Sequence, residues 1–151
     1  LSPQKQGTII EQGVIEWRAD NPAAAREFFA EAYALASTSD ELAVYLAAGH
    51  IISRDIPGGR AVLQEHFGTT TVNDMVLALA YQQIRAWNDL IAVLALRHQE
   101  LDDATSGYQL AIAYGQAGRI AEARAQVRAV MQAHPESSSQ GTTLLMQLGG
   151  N

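Results

Sequence analysis

Four histidines, His50, His66, His98 and His134, are the side chains best able to move a proton or hold a metal near neutral pH. They are widely separated, and none falls in the pattern of two histidines and a glutamate on one helix that binds zinc in a protease. Each is read as a surface or partly buried histidine, so neither a metal site nor a cofactor is expected. Asp102 and Asp103 could be cast as acid and base. Adjacent acids at a helix start, however, ordinarily cap the helix and favour its positive end. Gly58-Gly59 is too short to cradle a phosphate and lacks the lysine and hydroxyl residue of a nucleotide loop, so it reads as a turn. Arg124 and Arg128 share a helix face, with Arg119 near the preceding turn. Like Arg54 and Arg60, they are sparse enough to read as solvated surface. No poised nucleophile and base emerge, and the chain is read as non-enzymatic.

The elements that must carry any other function follow from composition. At 151 residues and 48% apolar, the chain is long enough for one domain with a substantial core. Alanine and leucine dominate and the four prolines lie near expected helix ends, which predicts an all-α fold. The net charge of -6, with Lys5 the single lysine, lacks the basic footprint of a nucleic-acid binder. Charges interrupt every hydrophobic stretch short of the roughly 18 residues that would cross a bilayer, so no membrane insertion of this segment is expected. Without cysteine there is no disulfide or thiolate site, which fits cytoplasm and bacterial periplasm alike. The start at Leu1, without an initiator methionine or a signal sequence, suggests a processed product or a piece of a longer protein.

Small residues recur at helix-pair spacing. Gly13, Gly49, Ala78 and Ala111 stand 36, 29 and 33 positions apart, and each is followed twelve residues later by Ala25, Ala61, Leu90 or Ala123. The clearest unit runs through Leu110, Ala111, Tyr114, Gly118, Ala123, Val127 and Pro135, and the one before it through Leu77, Ala78, Tyr81, Leu90 and Leu94. Tyr45, Gly49, Ile52 and Ala61, with Pro57-Gly58-Gly59 opening a second helix, suggest another. Glu65 there occupies a position where a large apolar residue is expected, so that helix is expected to be shifted in register. The first unit matches mainly through Ala25, Phe29 and Ala32. Caps are expected at Asn21 before Pro22, within residues 38–40, at Asn73 or Asp74, and at Asp102-Asp103. The division predicts units near residues 6–37, 40–70, 72–102 and 104–136. A polar run at 136–140 then leads into a short capping helix at 142–148, within residues 137–149.

These residues resemble the tetratricopeptide repeat family over most of the chain, with specific motifs in the C-terminal half. The resemblance implies one domain over residues 1–151, a right-handed solenoid of antiparallel helix pairs in which stacking builds a continuous core. It also implies a protein-interaction scaffold whose first helices line a concave groove. By that resemblance the groove residues are Ile10, Val14 and Trp17, then Leu46 and His50, then Met75, Leu79 and Gln82, then Tyr108 and Ile112. This mostly apolar row contains no lysine or asparagine, unlike the clamp that holds acidic chaperone tails. It suits a partner helix or an extended hydrophobic segment, or else packs against itself or adjoining repeats. The cysteine-free, alanine- and arginine-rich, lysine-poor composition looks bacterial, and degenerate tetratricopeptide arrays of this sort resemble the periplasmic domains of exopolysaccharide export and biosynthesis proteins. That resemblance makes polysaccharide, presented to Trp17, Trp87 and Tyr108, an alternative ligand. A homodimer through the apolar row is a further arrangement.

Overall fold

A computed structural model describes residues 3–149, and among these the secondary structure is all helical, as the composition predicts. The described residues form two compact units, one up to residue 85 and one from residue 86. The first holds α1 (Pro3–Arg18), α2 (Pro22–Leu35), α3 (Asp40–Ile52), α4 (Ile56–Phe67) and α5 (Met75–Gln83). The second holds α6 (Trp87–Leu101), α7 (Ala104–Gln116), α8 (Ile120–Ala133), a 3-10 turn (Pro135–Ser137) and α9 (Ser138–Gln147).

The helix starts have chemical causes. Ser39 Oγ accepts from Leu42 N–H, Asp55 Oδ1 from Gly58 N–H, Asp74 Oδ1 from Val76 N–H and Asp103 Oδ1 from Ser106 N–H, each satisfying an otherwise orphan donor. Asn21 stands at the N-cap of α2 but its side chain caps nothing; its Nδ2 donates to Glu16 instead, and Pro22 supplies the helical φ.

One turn recurs along the chain. Asp20, Arg54, Arg85 and Gly118 have φ of 61°, 64°, 59° and 76°, each two residues before the next helix. At Asp20, Arg54 and Gly118 the turn carries both bonds of a Schellman motif. Asp20, Arg54 and Gly118 N–H reach the carbonyls of Trp17, Ile51 and Gly115, while Asn21, Asp55 and Arg119 N–H reach those of Glu16, His50 and Tyr114. Arg85 N–H makes the corresponding bond to Gln82 O. Only one of the four is glycine, so Arg85, placed where the repeat lacks its turn glycine, adopts the left-handed conformation regardless.

Counting from these turns corrects the register of α3 and α4. The residue seven before each turn is Gly13, Ala47, Ala78 or Ala111, and the residue five after it is Ala25, Gly59, Leu90 or Ala123; all eight are buried. The expected pair Gly49 and Ala61 is therefore Ala47 and Gly59, and Ala61 is exposed. A Cβ on Gly59 would stand 2.9 Å from Ile51 Cγ1 and 3.0 Å from Ala47 O, so α4 approaches α3 closely here. The shift anticipated from Glu65 is two residues.

In the first unit α3 packs against α2, α4 and α5. Phe29, fully buried, lies between Gly13 of α1, where a Cβ would strike its ring, and Gly49 of α3, where a Cβ would stand 3.1 Å from Phe29 Cδ2. In the second unit Tyr108, Ala111, Val127 and Val130 form a core against which Leu144, Leu145 and Leu148 pack. Residues 138–140 of the polar run already belong to α9, which starts earlier than the 142 expected from the sequence. Tyr108 Oη lies 2.8 Å from Ser137 Oγ and donates to Ser137 O at 3.0 Å, anchoring the start of that helix.

Replacing Arg54 by glycine should raise the free energy of unfolding by about 0.5–1 kcal/mol, because a left-handed non-glycine residue costs roughly 1–2 kcal/mol and glycine's unfolded-state entropy returns part of it. Urea denaturation of Arg54→Gly beside Gly118→Ala, which should lose stability by a similar amount, checks both signs. The register has its own test: Gly59→Ala should cost on the order of 1–3 kcal/mol, while Ala61→Leu should stay within about 0.5 kcal/mol of the parent.

Candidate functional site

The first unit holds an apolar groove of about 660 Å³ whose walls come from three helices. Helix α1 supplies Val14 and, one turn further on, Trp17 and Arg18, and α5 supplies Val76, Leu79, Gln82 and Gln83. Tyr45 of α3 completes the walls, and Asp20 lies beyond the end of α1. Leu79 is 54% exposed, an uncommon placement for a leucine amid other apolar groups.

Phe29 fixes the aromatic walls. The Trp17 ring meets it edge-on with centroids 6.3 Å apart, and the Tyr45 ring lies 5.1 Å away on a tilt. Trp17 Nε1 donates to Gln83 Oε1 on α5, so the indole is held at both its apolar face and its polar tip. The Tyr45 phenol is pushed above its ordinary pKa, first by burial and then by Glu41 and Asp74, against the opposing charge of Arg18. Tyr45 and Val76 also line a second cleft of about 400 Å³ together with Asp40, Glu41, Val44 and Asp74.

The structure brings Val14, Trp17, Leu79 and Gln82 of the sequence candidates together here. Leu46 and Met75 are partly buried, while their neighbours Tyr45 and Val76 line the groove. Ile10 packs against the core of Ile9, Ala32 and Leu42. His50 Nδ1 hydrogen-bonds Asp55 Oδ2 at 2.8 Å, clipping α3 to the turn that opens α4. Tyr108, expected on an accessible face, is 1% exposed and belongs to the core of the second unit, because its hydroxyl is committed to Ser137. Ile112 is 45% exposed and lines a separate cleft of about 250 Å³ with Leu144 and Leu148 of α9. Tyr45 and Val76, the walls that helical spacing missed, each precede a left-handed turn residue by nine positions.

Two polar clusters outside the groove hold helices in place. His66 receives Tyr33 Oη at Nδ1 (3.3 Å) and meets Asp40 Oδ1 through Nε2 (2.8 Å), joining α2, α4 and the start of α3. Asp103, Ser106 and His98 have the residue types of a hydrolytic triad, but a triad sets histidine between the acid and an accessible serine. Here Ser106 is in the middle and 1% exposed, with Oγ 2.9 Å from His98 Nδ1 and 3.1 Å from Asp103 O, and the trio caps α7.

Comparison with protein-family models, with curated proteins and with solved structures finds no match for this chain.

Hydrogen bonds from His50 and then Gly58 hold the Asp55 carboxyl below its ordinary value of 3.8, and those from Ser106 do the same for Asp103. A carboxyl with a depressed folded pKa stabilises fully above its unfolded pKa, and loses that contribution as the pH falls through the folded one. Thermal stability should therefore drop below about pH 4, and Asp55→Ala should flatten that acid limb while lowering stability at neutral pH. Melting curves from pH 7 down to about pH 3 check the prediction.

Proposed function

We propose that this chain is a scaffold of the tetratricopeptide kind, a right-handed stack of helix pairs that holds a segment of a partner protein against α1, α3 and α5. The observation that carries the reading is the groove itself, with Leu79 in solvent among Val14, Trp17, Tyr45 and Val76. Exposed apolar surface collected into one concavity is what an amphipathic helix or an extended hydrophobic strand covers. Aromatic side chains of the Trp17 and Tyr45 type, once covered by a partner, are among the few residues that carry most of the affinity in such contacts. The repeat reading is supported by the recurring turn at 20, 54, 85 and 118 and by buried small residues at fixed offsets from it. This assigns no catalytic step to the chain and no cofactor.

A second reading, contact with polysaccharide in a bacterial envelope export system, draws on the same walls. Trp17 and Tyr45 stand beside Arg18, Asp20, Gln82 and Gln83, a mixture of ring faces and planar hydrogen-bonding groups that suits sugars.

Capture from a lysate separates the readings when run with three baits: the parent chain, Leu79→Asp, and Ile15→Asp, which places a charge at a 53% exposed isoleucine outside the groove. A protein retained by the parent and by Ile15→Asp but lost from Leu79→Asp is the expected result. Equal capture by all three would move binding off the groove, and saturable binding in a glycan titration, lost in Leu79→Asp, would favour polysaccharide.

A further inference from the structure

The apolar groove does not end at its own walls. Tyr45 and Val76 line both it and the second cleft, so the two adjoin across these side chains on α3 and α5. The two parts differ in charge. The cleft is lined by Asp40, Glu41 and Asp74, with no lysine, arginine or histidine among its lining residues. Arg18 lies on the groove side. Two of these carboxylates already serve the fold, since Asp40 meets His66 and Asp74 caps α5. The Glu41 side chain is exposed at the first turn of α3. The negative potential reaches the shared wall, because Glu41 and Asp74 both act to keep the Tyr45 phenol protonated.

Resting on the reading of the groove as a protein-binding surface, we propose that its occupant is a peptide segment with an apolar block followed by a lysine or arginine. The apolar block lies between Trp17 and Leu79, and the basic group enters the cleft of Glu41 and Asp74. Complementary charge beside a desolvated apolar contact fixes the register of the segment and rejects partners carrying an acid at that end.

The test uses the full chain and two fluorescently labelled synthetic peptides that share one leucine- and tryptophan-rich block, one ending in two lysines and the other in two glutamates. The lysine peptide should bind about tenfold more tightly at low salt, with the preference shrinking as salt is added. Glu41→Gln combined with Asp74→Asn removes both charges while leaving asparagine, a competent cap, on α5. That double variant should lose the preference but still bind both peptides. Leu79→Asp should abolish binding of both. Equal binding of the two peptides, with loss of both in Leu79→Asp, would overturn the basic-end inference and leave the groove standing. Binding that survives Leu79→Asp, or no binding of either peptide, would overturn both.

Discussion

Phe29 is the side chain on which the first unit depends. Its ring fills the space left by Gly13 on one helix and Gly49 on another, with no exposed surface of its own. A Cβ at either glycine would press on that ring, so the three helices close only because these two positions carry no side chain. The same ring then supports Trp17 on one side and Tyr45 on the other. The groove's aromatic walls are thus set by a core contact. A large-to-small change at Phe29 would leave a cavity costing about 3–5 kcal/mol and would also free both walls.

A second constraint works along the chain. Each left-handed residue at 20, 54, 85 and 118 ends a helix and fixes which residue of the next helix turns inward. The bulky residue nine positions after each turn, Phe29, Leu63, Leu94 or Val127, is buried every time, as is the residue five positions after it. Three turns meet the conformational cost with aspartate or arginine; both Schellman bonds hold Asp20 and Arg54 there, and the bond to Gln82 O holds Arg85. Polar side-chain pairs elsewhere also tie helix ends together, with His50 bound to Asp55 beside the turn at 54, His66 to Asp40, and His98 to Ser106. Three of the four histidines, the residues with most chemical promise, are thereby committed to holding helices in register.

Much of the fold was legible before any coordinates. Alanine and leucine richness, four well-placed prolines and cap residues at Ser39, Asp74 and Asp103 fix the helices and most of their ends, because these are local effects of backbone entropy and orphan N–H groups. The near-34-residue spacing was legible too, as was the expectation that α4 is shifted. Reading that spacing from small residues alone misplaced one pair by two positions. Gly49 is small because Phe29 needs the room, a demand made by a different helix from the one that the repeat pattern concerns.

The site was legible only in part, for a physical reason. Helical periodicity states which residues share a face, but not whether that face meets a neighbour or solvent. Val14, Trp17, Leu79 and Gln82 fall in one groove, whereas Tyr108, from the same kind of stripe, is drawn inside by α9 and by its hydroxyl bond to Ser137. Sequence by itself determined the helices, the caps of α3, α5 and α7, and an apolar, weakly acidic character. Tertiary packing alone decided that Tyr45 rather than Leu46, and Val76 rather than Met75, line the groove. A rotation of one residue about a helix axis moves a side chain by about 100°, and only contacts between helices set that angle.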